Sequence, residues 1–106
     1  MNAEVFDQMA ELKDKIDAVD ARVDNLAAQE DRKSATLCRA RILRFGDEIL
    51  HGTAHSKEHY DQILLDITDY SQYCAAHPEF ANHVTKHAEQ EIEDAYQRLL
   101  ETNGFL

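Results

Sequence analysis

Seven apolar residues recur along the first quarter of the chain in alternating steps of four and three: Val5, Met9, Leu12, Ile16, Val19, Val23 and Leu26. Steps of four and three keep every member on one side of an α-helix, which turns once in 3.6 residues. A half-buried strand would need steps of two. The repeat is a heptad register, with Met9, Ile16 and Val23 at position a and Val5, Leu12, Val19 and Leu26 at position d. The next a and d positions hold Glu30 and Lys33, so the apolar seam stops near Ala28. A seam of about 25 residues at 1.5 Å rise is roughly 38 Å long. So short a coiled coil is marginal alone, and it must be covered by a second chain or by later helices of its own chain. β-branched residues at a with Leu at two of the d positions favour two parallel strands, in which Lys15 at g faces Asp20 at the partner's e. Residues 1–34 are therefore expected to form an acidic coiled-coil helix whose seven seam residues are a homodimer interface.

The rest of the chain is also punctuated as helix. Three Gly and one Pro in 106 residues leave too little turn chemistry for a β-sandwich or barrel. A stripe of Cys38, Ile42, Phe45 and Ile49 predicts a helix over 35–51, with Gly46 in its interior as a point of fraying or close packing and Gly52 at its end. Thr53 or Ser56 opens another helix, whose stripe is Tyr60, Ile63, Leu64, Ile67, Tyr70 and Cys74, and Pro78 stops it. The last helix is expected to begin between Pro78 and Asn82 and to bury Val84, Ala88, Ile92, Ala95, Tyr96, Leu99 and Leu100. Asn103 and Gly104 cap it, leaving Phe105 and Leu106 to fold back. Short connections make neighbouring helices antiparallel. The fold class is all-α: a long N-terminal coiled-coil helix followed by a small antiparallel three-helix bundle at 35–106.

Charge narrows the function classes. The net charge is −10, but it is unevenly placed. Residues 1–31 carry nine acids against three bases, 32–45 carry five bases and no acid, and 46–106 carry twelve acids against three bases. An acidic body gains little from a polyanion, so direct nucleic-acid binding is disfavoured, the 32–45 segment aside. It can instead fill a basic groove on another protein. Glu89, Glu91, Glu93 and Asp94 are the first choice for such a docking face, with Asp61, Asp66 and Asp69 as a second set. The longest apolar run, Ile63-Leu64-Leu65, is far too short to cross a bilayer. With no basic leader at the N-terminus, a cytoplasmic location is expected.

One spacing has metal-ligand character. Cys74, His77, His83 and His87 read C-x2-H-x5-H-x3-H, and the last two lie one helical turn apart. Thiolate and imidazole converging on one turn would suit a tetrahedral structural zinc. His51, His55 and His59 form a second, weaker set, broken by Gly52. No nucleophile elbow, P-loop, dinucleotide fingerprint or HExxH motif occurs, and no catalytic residue is expected.

Residues 37–50 (LCRARILRFGDEIL), 55–67 (HSKEHYDQILLDI), 73–82 (YCAAHPEFAN) and the closing Phe105-Leu106 resemble a group of small helical proteins encoded by phages and prophages of Gram-positive bacteria. The resemblance covers about residues 35–106 and brings no catalytic residues with it. His83 and His87 depart from the group's pattern after the His-Pro turn. The resemblance implies a role in a phage life cycle, inside the bacterial host cytoplasm. Two kinds of work follow: inhibition of a host defence such as a CRISPR nuclease, or a structural and assembly accessory working through the coiled coil.

Overall fold

The computed structural model describes residues 2–106, and every regular element among them is α-helical. Helix α1 runs Ala3–Leu50, α2 runs Lys57–Ala76 and α3 runs Lys86–Thr102. The two helices expected over the first half of the chain are one uninterrupted helix. The apolar stripe stops near Ala28, but the backbone has no reason to: no Gly or Pro precedes Gly46, and the residues between are mostly strong helix formers. The chain divides into two units between Lys33 and Ser34.

In the first unit every described residue is exposed. The second unit packs the last third of α1 against α2 and α3. Phe45 stacks on His55 with ring centroids 4.0 Å apart and meets the edge of Tyr60 at 5.0 Å. Farther from that end, Arg41 meets Asp66 and Arg39 meets Tyr70. Falling numbers on α1 thus pair with rising numbers on α2, and the two are antiparallel. Tyr60 faces Tyr96 while Tyr70 and Cys74 share a cleft with Lys86 and Glu89, so α2 and α3 are antiparallel too. Ile42 and Ile92 are fully buried at the centre. Each contributes about 1.5–3 kcal/mol by leaving water. Gly46 is the contact point of α1 with α3, where a Cβ would stand 2.7 Å from the Cβ of Ala88. Close packing, not fraying, is the reason for this mid-helix glycine.

The helix ends follow from single residues. Gly52, at φ +80°, ends α1 in a conformation that costs other residues energy. Ser56 caps α2, its Oγ accepting the His59 N–H at 3.2 Å. His77, forced toward extended angles by Pro78, closes α2. Asn103 takes the left-handed cap at φ +51°, and the Gly104 N–H donates to the Leu99 carbonyl at 3.1 Å. Phe105 then packs on Tyr60 and Tyr96, and the Leu106 N–H donates to the His55 carbonyl at 3.3 Å. The start of α3 differs from expectation. Asn82 accepts the Val84 N–H in a local turn and His83 sits at φ +60°, which delays the helix to Lys86 and leaves Val84 exposed. Leu100, also expected in the core, is 44 % exposed.

Candidate functional site

The heptad seam is an apolar stripe left on the surface. Val5, Met9, Leu12, Ile16, Val19, Val23 and Leu26 are 38–61 % exposed, and Phe6 beside them is 59 % exposed. Side chains half out of water on one face of an ordered helix leave several kcal/mol of burial unrealised.

The basic segment of α1 is partly turned inward. Arg39 donates from Nε to the Tyr70 hydroxyl and from a terminal nitrogen to the Phe80 carbonyl, both at 2.8 Å. Its guanidinium also lies 4.1 Å from the centre of the Phe80 ring. Arg41 donates to both carboxylate oxygens of Asp66, at 2.8 and 3.3 Å. The Asp66 side chain is only 6 % exposed and also accepts from Gln62 at 3.3 Å. Asp66 was expected in a docking face beside Asp61 and Asp69. It is buried instead, its charge matched within the fold, whereas Asp61 is exposed and paired with Lys57 at 3.0 Å. Arg44 is exposed and lies 3.7 Å from Glu48. From the sequence, Arg39 and Arg41 are only two of the five bases of the 32–45 segment. The signal that sets them apart is position: both flank the Cys38/Ile42/Phe45 stripe, where a long side chain can reach a neighbouring helix.

Beside the Arg41–Asp66 pair lies a cleft of about 300 Å³, bounded by Phe45, Glu48, His55, His59 and Ile63. The His55 side chain is buried, with Nε2 3.7 Å from a Glu48 carboxylate oxygen and Nδ1 without a hydrogen-bond partner. Burial, with Asp66 next to it, pushes the Cys38 thiol above its usual range and keeps it protonated. Burial likewise raises the Tyr60 and Tyr70 hydroxyls.

The expected zinc ligands are not brought together. His77 is stacked on Tyr73 at 4.0 Å, its Nδ1 3.0 Å from the Tyr73 carbonyl. Cys74 and His83 border a cleft between α2 and α3, while His87 borders a different cleft with Leu43 and Leu50 of α1 and lies 3.7 Å from Glu91. The left-handed turn at His83 takes away the helical turn that would have aligned it with His87. In the second set, His55 and His59 stand 6.3 Å apart by ring centroid, and His51 bonds back to the Asp47 carbonyl. Among the described residues, no three His, Cys, Asp or Glu side chains are grouped to hold a metal ion.

The α3 acids are spread around the helix. Glu89 and Glu91, about 200° apart at 3.6 residues per turn, are half-buried on opposite flanks of the core stripe. Glu89 accepts the Thr85 hydroxyl at 2.9 Å, and Asp94 accepts the Gln90 amide at 2.8 Å. Glu93 and Asp94 face outward. Among the described residues, no helix is long and apolar enough to cross a membrane. No protein-family model, no curated protein and no solved structure matches the chain.

Proposed function

We propose that this is a non-enzymatic, phage-encoded binding protein that dimerises through its heptad seam and occludes a basic surface of a host protein that handles nucleic acid. One observation carries the reading. In a chain of net charge −10, Arg39 is half-buried and bonded to Tyr70 and Phe80, and the half-exposed Arg41 is matched to the buried Asp66, so neither base is free to offset the acids exposed on the surface. Such a surface repels DNA and RNA and is attracted to whatever grips them. The resemblance to phage proteins makes a CRISPR nuclease in the bacterial host cytoplasm the first target class to test. Binding should be fast at low salt and weaken as salt rises, since exposed charges are screened over about 10 Å at 0.1 M.

The test is titration of the purified protein into CRISPR effector complexes, with nucleic-acid loading as the readout. Reversing the outward pair, Glu93→Lys with Asp94→Lys, should slow association while leaving helicity unchanged. Association insensitive to salt and to these reversals would replace charge with an apolar interface. Absence of binding to any effector would favour a second reading, a phage assembly accessory. The exposed seam favours that second reading, because a coiled coil can also join the chain to a larger phage component.

A further inference from the structure

We infer that the seam takes a second copy of this chain in parallel, in-register orientation; this rests on the dimer reading above and adds the exclusion of antiparallel pairing. The positions flanking the seam carry the argument. Position e is held by Phe6, Lys13, Asp20 and Ala27, and position g by Gln8, Lys15, Arg22 and Gln29. Every base of the seam region thus flanks the interface, at Lys13, Lys15 or Arg22, with Asp20 as the one flanking acid. The remaining acids from Glu4 to Asp24 lie at the outer b, c and f positions. All of these side chains are exposed, and none forms an ion pair among the described residues.

In a parallel pair each g residue meets the e residue five places later on the other chain. Lys15 then faces Asp20, and the match forms twice by symmetry. Gln8 meets Lys13 and Arg22 meets Ala27, so no like charges oppose.

An antiparallel pair instead brings e to e and g to g. Two alignments keep the apolar layers filled. With Ile16 opposite Leu12, Lys15 meets Lys15 and Lys13 meets Lys13. With Ile16 opposite Val19, Lys13 gains Asp20 but Lys15 meets Arg22. Only the parallel arrangement collects attraction without repulsion. It also brings the two chains out of the seam at the same end.

The test uses the full chain. Two d positions face each other directly in a parallel pair, at a Cα separation of about 6 Å that suits a disulfide. Leu26→Cys in a Cys74→Ser background should therefore give a covalent dimer with itself under mild oxidation, read against Cys74→Ser alone, whose remaining Cys38 is buried. Lys15→Glu should weaken association about tenfold at low salt, and adding Asp20→Lys should restore it. In the second antiparallel alignment Lys15→Glu would strengthen association, and in the first it would change nothing. A dimer that cross-links only between Leu26→Cys and Met9→Cys chains, or between Val5→Cys and Val23→Cys chains, overturns the parallel arrangement while keeping the dimer. A trimer overturns the two-chain arrangement, and a monomer at all concentrations overturns the dimer reading itself.

Discussion

Replacing Gly46 by Ala sets two effects of known size against each other. Gly in the middle of a helix costs about 1 kcal/mol relative to Ala, so helix propensity alone predicts that Gly46→Ala stabilises the protein by about that much. The contact with α3 opposes it. The added methyl would stand 2.7 Å from the Ala88 Cβ and 3.1 Å from its Cα, whereas carbon atoms pack at about 3.5–4.0 Å. The nearest atoms belong to a β-carbon and a backbone, not to the end of a flexible side chain, so α1 and α3 must separate by about 1 Å at their crossing. Overpacking of this kind costs about 1–3 kcal/mol, and here it also loosens Ile42 and Ile92 on either side. The net expectation is a loss of about 1 kcal/mol, or a Tm lower by about 4–8 °C. Thermal unfolding followed by circular dichroism at fixed protein concentration reads the sign. Ala88→Gly in the Gly46→Ala background removes the nearest atom and should recover most of the loss, giving a favourable coupling in a double-mutant cycle. A rise in Tm for Gly46→Ala alone would show that the close approach of α1 and α3 does not exist.

Two further outcomes follow from the buried polar groups. Arg41→Met leaves the Asp66 carboxylate, 6 % exposed, without its guanidinium. Urea denaturation should show a loss of about 1–3 kcal/mol, toward the lower figure because Arg41 is half in solvent, and adding Asp66→Leu should recover much of it. Stability should also fall at alkaline pH. Burial raises Cys38 above its ordinary 9.0 and Tyr60 and Tyr70 above their ordinary 10.0. The unfolded chain releases these protons first, so their contribution is complete below about pH 9 and is lost as pH climbs through the raised folded values. Spectroscopic titration should find part of the tyrosine absorbance ionising late, and a stability flat from about pH 8 to 11 would contradict the burial.

Helical class and most helix ends were legible because they are written locally. Gly52, Ser56, Pro78 and Asn103 each act on their own backbone, and the heptad steps identify a face without reference to anything distant. Three features were not legible, each for a physical reason. The continuity of α1 was hidden because a break in an apolar stripe resembles a break in a helix, although Glu, Asp, Arg and Lys carry the backbone straight through. The start of α3 depended on a side chain–backbone bond at Asn82 and a left-handed His83, a competition that periodicity does not see. The fates of Arg39, Arg41 and Asp66 depended on which helices face each other. An acid eight residues before Cys74 and a base three after Cys38 look like solvated surface until the antiparallel pairing of α1 and α2 brings them within 2.8 Å. The His and Cys spacing misled for the same reason. A C-x2-H-x5-H-x3-H string counts residues along the chain, and one left-handed turn sends its members to separate clefts.

A seam of exposed apolar residues calls for a partner chain, and sedimentation equilibrium of the untagged protein detects one directly. Wild type should sediment as twice the 12.1 kDa chain at micromolar concentration. Ile16→Asp with Val19→Asp, which places charge in the middle of the seam, should sediment as the single chain with the same helical bundle signature. A wild type that remains a 12.1 kDa monomer at every concentration reached would contradict the account.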